Sequence, residues 1–229
     1  MEYKAHLTAG AAAGSTVVAI SLLAGHAIPP LTLGLIQIPT LVLFVLLGMI
    51  AGDLPDLDEP QSVAANLPRK MISSLNDLLG INRRSLLGKV LYKVGEILSF
   101  PTYLLATLIK RNLGHRTLTH SPIFLLIGSI LLVLVGNWLW QWPYFGWIFA
   151  AGVGSHLFLD FCTTRGLPLF YPLPFFVRIA ALPKADNSRL NESTSKMMQW
   201  LVLADLLFIW GWPWLQSWWP ILSENWHFV

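Results

Sequence analysis

Three short stretches of this 229-residue chain crowd together side chains that bind cations or move protons. Residues 52–60, Gly-Asp-Leu-Pro-Asp-Leu-Asp-Glu-Pro, hold four carboxylates in seven positions: Asp53, Asp56, Asp58 and Glu59. Like charges at this density raise one another's pKa, and an apolar run that reads as a helix presents its negative end there. A bound cation would reverse both penalties. Pro55 is expected to push Leu54 out of helical geometry, turning Asp53 and Asp56 toward one centre. The plainer alternative is a solvated acidic helix end.

Residues 114–122, Gly-His-Arg-Thr-Leu-Thr-His-Ser-Pro, form the second stretch. His115 and His120 are five apart and can converge in a turn. Thr119 and Ser121 are placed to hydrogen-bond an imidazole or to cap a helix. Arg116 is a fork suited to a phosphate or carboxylate, or alternatively a basic anchor at a membrane surface. In the third stretch, residues 154–160, His156 and Asp160 are four apart and share one helix face. Both lie in an apolar run, where an ionisable residue carries a functional hypothesis by default. A hydrogen bond that only locks two helices is the alternative. Gly152 and Gly154 let another helix approach. The Gly/Ala-rich start of the first apolar run is the candidate neighbour, and it would bring His6 to the cluster.

The elements that position these residues follow from composition. The chain is 55% hydrophobic and 12% charged, against roughly 25% charged in soluble domains, and several apolar runs reach the ~18–20 residues that cross a bilayer. The expected fold is all-α: a single polytopic domain, 1–229, with about five transmembrane helices at 5–27, 31–52, 122–140, 142–164 and 197–219. Ser121 and Pro122 mark the start of the third. The first is read as a retained span and not a cleaved leader. The segment 53–118 is expected to lie at the membrane surface with amphipathic interfacial helices in 60–113, the stretch 85–112 being interrupted at Pro101. Tryptophans near the span ends, from Trp138 to Trp219, resemble an interfacial belt.

All fifteen Lys and Arg residues fall in the N-terminal tip, in 53–118 or in 165–196. Five spans place those segments on one face, the cytoplasmic one by the positive-inside rule, with the C-terminus outside. Four of the six histidines then share a membrane level with Asp53, Asp56 and Asp160, whereas His26 and His227 fall on the other side. The single cysteine, Cys162, excludes a disulfide or a Cys-rich finger, so a metal must be held by nitrogen and oxygen. Seven such donors exceed the three or four that one catalytic zinc takes. Two divalent ions sharing a carboxylate are expected, zinc first, with Mn or Mg as the oxygen-favouring choices. A net charge of +3 suits membrane lipids as partners, and no nucleic-acid motif occurs.

The N-terminal histidine, Gly52 to Asp58, His115-Arg116 with Thr119-His120-Ser121, and His156 to Asp160 followed by Thr163, Gly166 and Pro172 together resemble the YdjM-type, LexA-regulated metal-dependent hydrolases of the bacterial inner membrane. The order of ligands is also distantly similar to the zinc-dependent phospholipase C superfamily. The resemblance implies His6, Asp53, Asp56, His115, His120, His156 and Asp160 as metal ligands.

The expected activity is metal-assisted hydrolysis, probed most naturally on a phosphoester of a lipid, a lipid-linked molecule or a phosphorylated small molecule. Asp58 or Asp56 is the candidate general base. Arg116, Arg165 and Thr163 are the candidate substrate contacts. No Gly-x-Ser-x-Gly elbow occurs, which argues against a serine lipase. The rivals are an ion or proton-coupled carrier, best served by Asp205 in the last span, and a non-catalytic scaffold whose metal only staples helices.

Overall fold

A computed structural model describes residues 3–33, 36–82, 84–114, 116–163, 166–173, 175–178 and 188–224. Seven helices account for most of the described chain: α1 (Tyr3–Leu23), α2 (Thr40–Asp53), α3 (Leu67–Leu78), α4 (Leu86–Leu113), α5 (Pro122–Trp140), α6 (Tyr144–Phe161) and α7 (Ser188–Glu224). Among the described residues, three segments are long and apolar enough to cross a membrane: Lys4–Leu23, Thr40–Asp58 and Pro122–Trp140. The fourth and fifth expected spans correspond to helices α6 and α7. Helix α6 carries His156 and Asp160, which lower its apolarity.

The second expected span is shorter than the sequence implied. Leu31–Leu33 (β1) and Ile36–Ile38 (β2) pair antiparallel, Leu31 opposite Ile38, and α2 begins only at Thr40. Pro39 has no N–H to continue a helical ladder from the preceding residues, and a short apolar run carries no periodicity that separates strand from helix. Beyond Asp53 the chain tightens into a 3-10 turn, Leu54–Asp58, with Pro55 in its first turn. Leu54 stays in right-handed helical geometry at φ −60°, ψ −36°, so Pro55 does not expel it. At three residues per turn, the tighter winding places Asp53 and Asp56 on one edge.

Helices α1, α2 and α6 pack on one another, α5 covers α6, and α7 covers α1. The α1–α2 contact is a backbone approach. A Cβ on Gly48 would stand 2.6 Å from the Gly10 carbonyl oxygen, and one on Gly52 would stand 2.6 Å from that of His6. Gly10 and Gly14 on α1 face Gly48 and Gly52 on α2, two four-residue spacings of the small-residue kind that draws membrane helices together. Gly152 meets Ala51 and Gly48 of α2, not the first helix as expected, while Gly154 faces open space. Gly48→Leu is therefore expected to force α1 from α2 and to cost on the order of 2–4 kcal/mol. A fall in the yield of monodisperse detergent-extracted protein, measured beside Gly154→Leu as control, checks this.

Helix α4 runs unbroken through Pro101, contrary to the expected interruption. Proline removes one ladder bond, and hydroxyls on either side fasten the helix elsewhere. Ser99 Oγ accepts from the Arg69 amide at 2.9 Å, and Thr102 Oγ1 donates to the Ala65 carbonyl at 2.7 Å. Exposed Leu86, Leu87, Ile97, Leu98 and Leu105 line α4, as a helix lying in a bilayer surface requires. At the far end of the bundle Trp142 is buried, not part of an exposed belt, and donates Nε1–H to the Pro29 carbonyl at 2.9 Å. Trp138, Trp147, Trp200 and Trp210 are exposed, as a belt requires.

Candidate metal centre

The N-terminus of α1, the C-termini of α2 and α6 and the segment entering α5 meet at one end of the bundle. There they bury His6, Asp53, Asp58, His120, His156 and Asp160, each 2% exposed or less. His26 is exposed at the opposite end. Local sequence explains the placement. Helix α5 starts where Ser121 Oγ accepts from the Phe124 amide at 3.3 Å and Pro122 occupies the first turn, which fixes His120 just before the helix. His156 and Asp160, one turn apart on α6, face the same centre.

The imidazole of His156 has one nitrogen spoken for. Its Nδ1 lies 2.7 Å from the Gly52 carbonyl oxygen, one of the C-terminal carbonyls that a helix leaves unsatisfied. A carbonyl only accepts, so Nδ1 carries the proton and the Nε2 lone pair of the neutral ring faces the cluster. Nε2 is 3.6 Å from Asp160 Oδ2 and 3.9 Å from Asp56 Oδ1. His120 Nε2 is 3.4 Å from the same Asp56 oxygen and 3.6 Å from the same Asp160 oxygen. Donors sharing one tetrahedral zinc at about 2.0–2.2 Å stand roughly 3.3–3.6 Å apart. His120, His156, Asp56 and Asp160 thus make a quartet in which each imidazole faces both carboxylates at 3.4–3.9 Å, near the spacing of donors to one ion.

Among the described residues, two overlapping donor groups are present: His120 with His156 and Asp160, and His6 with Asp56 and His156. The His6 ring stacks on His156 with centroids 3.8 Å apart, and its Nε2 is 3.9 Å from Asp160 Oδ1. Among the described residues, His6 Nδ1 and His156 Nε2 are buried without a hydrogen-bond partner. Buried polar atoms of this kind call for an explanation, an ion being one. The residues fit a divalent cation bound by nitrogen and oxygen.

Other members support the quartet. Asp58 Oδ2 accepts from the Arg116 amide and from Thr119 Oγ1, both at 2.8 Å, and lies 3.4 Å from His120 Nδ1. This is the carboxylate–histidine pairing that sets a ligand's tautomer and ring plane. Arg116 adopts φ 58°, a left-handed conformation uncommon for a side chain of its size. Its Nη2 donates to Asp160 Oδ1 at 3.0 Å and lies 2.8 Å from Oδ2 as an ion pair. Among the described residues, Arg116 Nε and Nη1 are buried with no acceptor. Asp53 is buried in the same 3-10 region but stands outside both donor groups. Thr163 Oγ1 donates back to the Asp160 carbonyl at 2.7 Å and is 2% exposed, so it caps α6. His115 and Arg165 lie outside the described residues. Asp205 Oδ2 accepts from Ser15 and Thr16 at 2.7 and 2.8 Å, a link between α7 and α1.

His120 precedes the membrane-spanning part of α5. Burial pulls its pKa down, but hydrogen bonds to Asp56 and Asp58 and the charges of Asp58 and Asp160 outweigh burial and push it up to about 9. A metal must displace that proton. Metal affinity is expected to rise with pH until about 9 and to fall as the solution is acidified. Zinc competition titrations across a pH series check this, and an affinity flat from neutrality upward contradicts it.

No curated protein and no solved structure matches the chain. A family model described as YdjM inner membrane protein matches residues 1–219. With nearly the whole chain covered, this protein belongs to the YdjM inner membrane protein family.

Proposed function

We propose that this protein is a membrane-bound metal-dependent hydrolase acting on a phosphoester of a lipid or lipid-linked substrate at the cytoplasmic face. The observation that carries the reading is the quartet in which His120 and His156 each face Asp56 and Asp160 at 3.4–3.9 Å, with His156 Nε2 buried and lacking a hydrogen bond. One ion per chain accords with these donors better than two, because both groups depend on the single available nitrogen of His156. Zinc suits the donor set, with Mn or Mg as alternatives. A bound divalent ion supplies Lewis acidity and lowers the pKa of a water toward 7.

The chain's own residues divide the remaining work. The Asp56 side chain is 21% exposed, the most accessible of the quartet, so water reaches the centre beside it, and it is the candidate to accept a proton. Asp58, fully buried and already accepting two hydrogen bonds, orients His120 in preference to acting as a base. Arg116 holds Asp160 through Nη2, while Nε and Nη1, on different edges of the guanidinium, keep donors for anionic oxygens. A fixed cation with spare donors favours an anionic phosphoester over a neutral carboxylic ester. Arg165 remains a proposed second anion contact. The carrier reading loses its best residue, since the Asp205 carboxylate is engaged by Ser15 and Thr16.

Purified protein in lipid nanodiscs, assayed on phospholipids and on a generic aryl phosphoester, tests the proposal. Turnover is expected to vanish with chelator, return with zinc or manganese, and be absent in Asp160→Ala. Tightly bound metal without turnover on any phosphoester would support a structural staple instead, and metal flux into liposomes a carrier.

A further inference from the structure

Helix α7 packs on α1 and leaves a gap to α6. The gap is a cavity of about 320 Å³ lined on α1 by the small residues Ala9, Ala12 and Ala13 and by Val17, with Leu159 on α6 and Met198 on α7 at its sides. Its lining is apolar almost throughout, Thr16 and Ser155 apart, and the helices that form it are membrane-crossing or packed on one that is. Water gains little there. The α1 lining follows a single stripe: His6, Ala9, Ala13 and Val17 succeed one another at helical spacings of three and four. One turn beyond Ala9 stands His6, and directly after Leu159 stands Asp160, both members of the metal centre. From Ala9 to Val17 the groove extends about 12 Å along the helix, and its lining ends at Ala9 and Leu159, one turn and one residue short of the buried His6 and Asp160.

We propose that this groove holds one hydrocarbon chain of the substrate lipid, with the phosphoester of that lipid at the His6–Asp160 end. The inference rests on the phosphoesterase reading of the metal centre and deepens it, making the substrate a single- or double-chain lipid phosphoester in place of a soluble metabolite. The alanine lining is what creates the space. Larger side chains at 9, 12 or 13 would let α6 and α7 close over α1 without leaving room for a chain.

Two measurements test it. The first uses photoactivatable diazirine lipids in nanodiscs: a phosphate-headed acyl chain, a phosphate-headed polyprenyl chain and a headgroup-free fatty alcohol. The phosphate-headed probes are expected to label peptides containing Ala9 to Val17 and Met198 in excess over the lipid-facing Leu131 and Leu134 of α5, and more strongly than the alcohol. The acyl and polyprenyl arms distinguish the two sources of such a chain. Even labelling of α5 and the groove, or equal labelling by the alcohol, overturns the proposal.

The second compares phosphoester substrates of increasing chain length. The KM of the wild-type protein is expected to fall with chain length, and Ala13→Leu to raise the long-chain KM about tenfold, the equivalent of two excluded methylenes. Metal content serves as the folding check, and Leu131→Phe on α5 as the surface control. A chain-length preference that survives Ala13→Leu overturns the proposal. If no phosphoester is turned over while headgroup-dependent labelling persists, the hydrolase reading fails and the lipid site stands.

Discussion

His156→Ala is expected to weaken metal binding by more than the ~10–100-fold that losing an outer hydrogen-bond partner costs, and to abolish turnover. The reason is the sharing of its Nε2. That nitrogen belongs to both donor groups, so its removal takes a donor from each at once, and the central imidazole of a small cluster is lost. The same change frees the Gly52 carbonyl from its 2.7 Å partner at the end of α2, and a buried unsatisfied carbonyl costs about 1–3 kcal/mol. His156→Gln separates the two effects, because its amide can still donate to Gly52. Restored thermal stability without restored metal affinity is the expected pattern, read by chelator competition and by a melting curve of the detergent-solubilised protein.

The second large effect is expected at a residue that touches no metal. Asp58→Asn preserves shape while replacing one carboxylate oxygen by a donor. The Arg116 amide and the Thr119 hydroxyl both converge on Asp58 Oδ2, and His120 Nδ1 lies beside it. Losing the charge loosens the ring plane of His120 and withdraws the partner that fixes its tautomer. Metal affinity should fall about 10–100-fold, with the fold retained. Glu59→Gln, one residue away, is the contrast. Its carboxylate meets Lys110 at 2.6 Å in a half-exposed pair, and such pairs contribute ~0–1 kcal/mol, so no change in affinity is expected there. Equal behaviour of the two variants would remove Asp58 from the site.

The candidate centre was largely legible because its chemistry is written in rare residue types. A histidine and an aspartate one turn apart inside an apolar run, and a run of carboxylates after another, are costly patterns that only a shared partner relieves. The helix start at Ser121-Pro122 was legible for a local reason too, since a cap acts within one turn. What escaped were consequences of non-local contact. The role of Asp58 depends on residues 116 and 119, which the chain returns to it only in three dimensions. The Gly10–Gly14 and Gly48–Gly52 spacings stood in the sequence, but which pair of helices they join is decided by the whole bundle, and Gly152 went to α2 instead of α1. The β1–β2 pair at Leu31–Leu33 and Ile36–Ile38 was concealed inside an unbroken apolar stretch, where Pro39 was the one local sign that the helix begins later.

The metal-to-protein ratio of the purified chain, determined by elemental analysis after exhaustive washing, bears most directly on the shared His/Asp centre. One zinc or similar divalent ion per chain, lost in His156→Ala and kept in Asp205→Asn, is the predicted result. A chain that retains no stoichiometric metal at any pH up to about 9, where the His120 proton competes least, would contradict it.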